Sequence, residues 1–297
     1  MTPRAHLKGD LLLLLTAMIW GSAFVAQKVG MDHIGPFMYT GIRFGLGALF
    51  LTPIMLFFSR YRPFIIKKQE KTPPLILAGL LAGVLLFGGS ILQQIGLVYT
   101  TAGKAGFITG LYVVIVPLLG LIWGMRPGAG GWAGAVLSVT GLYLLTVQDG
   151  LSFCTGDILV IVCAFMYALH VIAIGWFAPG LDVLKLSVIQ FWACSVISLA
   201  AGFFLETTSW SAVYDAAIPI IYGGLLSVGI GFTLQVVAQQ KAQPTHAAII
   251  LSLETVFAVM SGMLVLGETL SARGWTGAAL MLAGMLSSQF YAYGGKK

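Results

Sequence analysis

Two ionisable residues, Arg43 and Glu254, sit well inside long apolar runs. A charge in hydrocarbon is costly, so such a group faces the protein interior or a cavity and marks a binding site or an ion path. Arg43 lies about seven residues from the start of its run and Glu254 about eight from the start of its own, roughly 10–12 Å deep each at ~1.5 Å per residue. The two runs enter the apolar layer from opposite faces, so the depths do not coincide and a direct Arg43–Glu254 bridge is not expected. Arg43 therefore reads as a structural group that holds carbonyls or hydroxyls of neighbouring helices. Glu254 has no basic partner at its own depth. It reads either as a cation or proton site in a cavity or as a structural hydrogen-bonding group.

Polar and aromatic residues recur at helical spacing in several runs: Thr16, Trp20 and Gln27; Ser90 and Gln94; Thr109 and Tyr112; Cys163, Tyr167 and His170; Ser227, Gly231 and Gln235. Residues at i, i+3, i+4 and i+7 share one helix face, and a lipid-facing surface does not carry such groups. Singly, each has a structural reading, Gln and Tyr as interhelical glue and His170 as a satisfied core histidine. As a set they predict a polar central cavity. The candidate substrate-binding residues are Trp20, Tyr112 and Tyr167 as aromatic walls and Gln94, His170, Gln235 and Glu254 as polar contacts. Such a lining suits a small polar or aromatic solute without naming one. Protons are a candidate coupling ion, through Glu254 or His170.

Other chemistries lack their residues. The chain has no G-x-x-x-x-G-K-[ST] loop for ATP, no H-E-x-x-H metal motif and no G-x-S-x-G elbow. Asp157 and Asp215 fall at run ends rather than paired mid-membrane, as an intramembrane aspartyl protease needs. No carboxylate cluster is present for magnesium and a lipid pyrophosphate. No cofactor is expected. The three cysteines, Cys154, Cys163 and Cys194, have no zinc or disulfide spacing and read as small buried hydrophobes.

The elements that must position these residues follow from composition. The 297 residues are 58% hydrophobic and only 9% charged, against roughly 25% charged in a soluble domain. A bilayer, not water, solvates such a chain. Runs of about 20 apolar residues occur at 10–28, 36–58, 74–98, 103–124, 131–147, 156–177, 186–205, 216–239, 246–266 and 274–293. They are too long and continuous for barrel strands. The first continues to about Ala26 with no clear cleavage site, so it reads as an uncleaved helix rather than a signal peptide. With the N-terminus in the cytoplasm, the inner loops collect Arg4, Lys8, Arg60, Arg62, Lys67, Lys68, Lys71, Arg126, Lys185, Lys241, Lys296 and Lys297. The outer side collects only Lys28, Lys104 and Arg273. That asymmetry is the positive-inside bias, so the net charge of +6 marks topology and not nucleic acid. Trp123, Trp132, Trp210, Trp275, Tyr291 and Tyr293 lie near run ends, as interfacial anchors do.

The halves of the chain correspond. Gly9-Asp10 opens the first run and Gly156-Asp157 the sixth, 147 residues later. Trp20 falls opposite Tyr167, Gln94 opposite Gln235, Leu111 opposite Leu253 and Gly131-Trp132 opposite Gly274-Trp275, at offsets of 141–147. The order and near-constant offset predict two five-helix repeats, residues 1–150 and 151–297. Five is odd, so the second repeat must be inverted, a common transporter plan with the substrate site at the repeat interface. Small-xxx-small pairs (Gly41/Gly45, Gly79/Gly83, Gly106/Gly110) read as helix packing, and Pro53 and Pro117 as kinks.

The chain resembles the EamA-type family of the drug/metabolite transporter superfamily over nearly its whole length. The resemblance is carried by Ala17-Met18-Ile19-Trp20-Gly21-Ser22-Ala23-Phe24, by Arg43 in the second run, by Ala102-Gly103-Lys104-Ala105 with Leu111 to Pro117, and by Leu253-Glu254-Thr255-Val256-Phe257 and Leu266-Gly267-Glu268. Thr255 departs from the proline usual in that family. The resemblance implies an all-α polytopic membrane fold of ten helices in two inverted repeats. It also implies a central cavity open alternately to each side, lined by helices one, three, four, six, eight and nine, which are the helices that carry the polar stripes. Its members export amino acids, other metabolites or drugs. The expectation is therefore a secondary transporter, an exporter of amino acids or related small polar metabolites across the plasma membrane of a bacterium. A drug or a sugar or nucleotide derivative as solute, a lipid-modifying membrane enzyme and a non-transporting accessory subunit are the alternatives. Its partners are the solute and the lipid bilayer; oligomeric state is not legible.

Overall fold

The structure is a computed structural model that describes residues 3–59, 73–100, 102–146, 154–266 and 271–294. The basic loop with Arg60, Arg62, Lys67, Lys68 and Lys71, together with Gly267, Glu268, Lys296 and Lys297, lies outside the described residues, as do the side chains of Tyr291 and Tyr293.

Among the described residues the chain is helical and has no strand. The helices are α1 (Pro3–Gly30), α2 (Pro36–Ser59), α3 (Leu75–Tyr99), α4 (Ala102–Gly110), α5 (Tyr112–Ile122), α6 (Ala129–Thr146), α7 (Thr155–Phe177) and α8 (Val183–Leu205). They continue with α9 (Trp210–Asp215), α10 (Ala217–Ile221), α11 (Thr233–Gln239), α12 (Pro244–Leu251), α13 (Glu254–Leu266) and α14 (Ala272–Gly294), and a π-helical segment, Tyr222–Phe232, joins α10 to α11. Eight stretches are long and apolar enough to cross a membrane; α4 with α5, α10 with α11 and the start of α13 with α12 each count as one. The fifth and tenth expected spans are also helical, as α6 and α14, but are not among those eight. Large apolar side chains cover the outside, Phe203, Phe204, Ile218 and Leu264 among them. In water that surface would be a liability; in lipid it is the solvated one.

Lipid supplies no hydrophobic drive between helices, so close backbone approach must hold them together. In the α6–α14 pair Gly134 meets Gly284 and Gly141 meets Gly277, so the two helices run antiparallel. A Cβ on Gly277 would stand 2.5 Å from the Gly141 carbonyl oxygen, which is backbone and cannot step aside. Gly277→Val is therefore expected to cost about 1–3 kcal/mol by overpacking, read as a lowered unfolding temperature of the purified protein; an unchanged temperature would refute the contact.

Packed neighbours run both antiparallel and parallel. α2 and α8 are antiparallel, with Gly41 on Leu199 and Gly45 on Ser195; α3 and α7 likewise, with Gly89 on Tyr167 and Gly96 on Val160. α1 runs antiparallel to the π segment, through Thr16–Gly231 and Trp20–Ser227. It runs parallel to α12 and α13, through Asp10–His246 and Gly21–Phe257. The packing pairs also survive exchange of the two halves. α3 on α7 answers the π segment on α1, α3 on α8 answers the π segment on α2, α4 on α7 answers α12 on α1, and α5 on α7 answers α13 on α1. α2 on α8 and α6 on α14 answer themselves.

Candidate solute site

The middle of the bundle is shaped by three departures from regular helix. Between α4 and α5, Leu111 sits in a tight i→i+3 turn, and between α12 and α13, Ser252 and Leu253 do the same. Leu111 and Leu253 are 142 residues apart, so the breaks fall at corresponding places in the halves. Each break is followed by a polar side chain, Tyr112 after the first and Glu254 after the second. The third departure is the π segment. Its wide turns change which carbonyls are committed to the helix ladder, and here the Ser227 carbonyl accepts from Trp20 Nε1 at 3.2 Å while the Gly231 carbonyl accepts from Thr16 Oγ1 at 3.3 Å. Gly231 is needed there, because a Cβ would stand 2.7 Å from Trp20 Nε1.

These breaks surround a cavity of about 490 Å³ of empty space, any adjoining open solvent included. It is lined by Trp20, Tyr112, Tyr167, His170, Gln235 and Glu254, six of the seven residues expected from sequence. The seventh, Gln94, is fully buried but points elsewhere, its Nε2 donating to the Gln27 carbonyl at 3.2 Å. Its neighbour Gln93 takes the cavity place and donates to Thr109 Oγ1 at 3.1 Å. The Ser90–Gln94 stripe thus sets the phase of the third span one residue off. Phe24, Gln93 and Phe232 were not singled out in the sequence; aromatic residues in apolar runs carry no mark of which face they take. Phe232 packs on Trp20 with ring centroids 4.5 Å apart and meets His170 edge-on at 6.1 Å.

Arg43 also lines the cavity. Its guanidinium lies over the rings of Tyr39 and Phe44, 5.5 and 5.1 Å from their centroids. Its Nε has no partner, and no ion pair joins it to Glu254 among the described residues. The Tyr112 hydroxyl approaches the Glu254 carboxyl without closing a regular hydrogen bond. His170 Nε2 donates to Gln190 Oε1 at 2.9 Å, and Gln235 Nε2 to Gln239 Oε1 at 2.9 Å. Four lining residues, Gln27, Arg43, Tyr112 and Gln235, each keep a buried polar atom with no partner. Buried polar groups are ordinarily paired.

Toward each end of the bundle a buried aspartate is bonded by a side chain of the other half. Lys104 Nζ reaches Asp157 Oδ2 at 2.6 Å, while Thr100 Oγ1 and the Cys154 backbone N–H also donate to that carboxylate, both at 2.8 Å. At the other end His246 Nε2 meets Asp10 Oδ1 at 2.8 Å and His246 Nδ1 meets Ser288 Oγ at 2.9 Å. The two pairs are images of each other, since Asp10 corresponds to Asp157 at 147 residues and Lys104 to His246 at 142.

Such a chain is a polytopic integral membrane protein built around a buried polar cavity. The sequence profile of the EamA-like transporter family matches residues 7–147 and again 154–288, and the chain belongs to that family. An uncharacterized transporter of Archaeoglobus fulgidus is 30% identical over 282 residues, covering 95% of this chain and 85% of that protein. The uncharacterized transporter YoaV of Bacillus subtilis is 24% identical, covering 94% and 95%. The uncharacterized inner membrane transporter YedA of Escherichia coli is 23% identical, covering 87% and 83%. A crystal structure that covers all of both chains superposes with a TM-score of 0.76 at 18% identity, a likeness of fold.

Proposed function

We propose that this protein is a secondary transporter that exports amino acids or related small polar metabolites across the plasma membrane by alternating access. The observation that carries the reading is the set of unpaired polar atoms on Gln27, Arg43, Tyr112 and Gln235 around one cavity at the centre of the bundle. Trp20, Tyr112 and Tyr167 supply its aromatic walls, and His170, Gln235 and Glu254 its polar contacts, with Gln94 acting on them through the Gln27 backbone. Residues 1–150 and 151–297 form two inverted repeats of five spans, with both termini in the cytoplasm. Supporting this are the double match of the family profile, the antiparallel course of the corresponding helices α6 and α14, and the exchange of packing pairs between halves. The likeness to YedA, an uncharacterized inner membrane transporter, supports the inner membrane as the location.

Alternating access needs a closure at each face. In this topology Lys104–Asp157 lies at the outer end and Asp10–His246 at the inner end. Their equivalence under the repeat fits a rocking motion that opens one while the other stays shut. Protons are a candidate coupling ion at Glu254 or His170. The apolar share of the lining keeps a drug as the second solute class. A lipid-modifying enzyme would need convergent catalytic groups, and the cavity offers one carboxyl.

The test is solute counterflow in proteoliposomes with labelled amino acids, with and without a pH gradient. Uptake above empty liposomes is expected, and gradient dependence would add proton coupling. No flux of any amino acid would sink this solute class.

A further inference from the structure

We propose that Arg43 is the anion subsite of the cavity, and that the solute it receives is a zwitterion whose carboxylate lies on Arg43 while its ammonium group faces Glu254. The inference rests on the transporter reading for its biological use but not for its test. Arg43 is only 2% exposed, lines the cavity, and makes no ion pair or hydrogen bond among the described residues. The faces of Tyr39 and Phe44 hold it in place but do not neutralise it. A buried charge left without a counter-charge is strongly destabilising, and a purely structural arginine would spend its five donors on carbonyls. In this one a donor, Nε, is buried without a hydrogen-bond partner. The planar fork of a guanidinium matches a carboxylate with two parallel bonds.

The opposite charge is in the same cavity. Glu254 is 4% exposed and has the Tyr112 hydroxyl as its polar side-chain neighbour. Arg43, Tyr167 and Glu254 line the same cavity, and no ion pair joins the two charges among the described residues. A solute with one charge would compensate one of them and leave the other buried and bare. A zwitterion compensates both, and its apolar part can lie on the Trp20–Phe232 wall.

The test is binding to the detergent-purified full chain, by thermal shift and calorimetry, so that flux is not needed. The probes are alanine and phenylalanine, each beside its carboxamide, which lacks the carboxylate, and its deaminated acid, which lacks the ammonium. A charge-assisted bond implies that wild type binds at least one amino acid about 10- to 100-fold tighter than its amide. Arg43→Gln should erase that ratio while leaving affinity for the amide within about threefold. Arg43→Lys, which keeps the charge but not the fork, should retain part of the ratio and covers the case in which the glutamine variant does not fold. Equal affinity of wild type for amino acid and amide overturns the proposal, as does an intact ratio in Arg43→Gln or no binding of either amino acid. Flux in liposomes without this discrimination would sink the subsite and keep the transporter; discrimination without flux would do the reverse.

Discussion

Glu254→Gln is expected to lower amino-acid counterflow about 10- to 100-fold while the protein still inserts and purifies normally. The exchange keeps the shape of the side chain and removes its charge. Little packing is lost, because the carboxyl faces the cavity and makes no ion pair among the described residues. What is lost is a charge-assisted contact to the solute, or a proton site, and an interaction of that kind carries about tenfold or more. The position reinforces the expectation. Glu254 is the first residue of α13, directly after the break at Ser252 and Leu253, so the fold holds it against Tyr112 from the opposite half. Gln94→Ala makes the contrast. Gln94 reaches the cavity only through the Gln27 carbonyl, so its loss should cost a few-fold at most. Normal counterflow in Glu254→Gln would remove this residue from the site.

Much of this arrangement could be read from the sequence because lipid is an exacting solvent. Polar groups on long apolar helices have nowhere to go but inward, and so Trp20, Tyr112, Tyr167, His170, Gln235 and Glu254 converge on one cavity. The correspondence of the halves, each matched by the family profile, was legible in spaced pairs such as Gly9-Asp10 with Gly156-Asp157. What the pairs mean physically was not. Leu111 and Leu253 match as leucines, but they mark helix breaks, and a break depends on backbone bonding that a leucine does not signal. The π turns of Tyr222–Phe232 are equally silent, although four glycines in eleven residues leave room for them. Gln93 and Gln94 differ by one residue, about 100° of helix, and only the neighbouring helices decide which one faces inward. The surroundings of Arg43 were illegible for a related reason. Depth argued against a bridge to Glu254, which is how the two stand, but depth says nothing about whether other acceptors are nearby, and none binds it among the described residues.

The contacts of Asp157 and Asp10 yield the second large effect. Asp157→Asn removes the charge that Lys104, Thr100 and the Cys154 amide converge on, so it should weaken the outer closure and shift the protein toward the outward-open state. Asp10→Asn removes the partner of His246 and should shift it the other way. At about tenfold per 1.4 kcal/mol, the loss of one charge-assisted bond changes the ratio of the two states roughly 10- to 100-fold. The reporter is a single cysteine at Ser227, on the cavity wall, in a chain with Cys154, Cys163 and Cys194 replaced, labelled by a membrane-impermeant thiol reagent. From outside, labelling should accelerate in Asp157→Asn and slow in Asp10→Asn; from the cytoplasmic side the order should reverse. Combining both substitutions should restore a ratio close to the parent's, because in the proposed repeat the two closures are equivalent and their losses oppose each other. If either substitution speeds labelling from both sides alike, the pairs are packing bonds that loosen the bundle when cut, and the closures lie elsewhere.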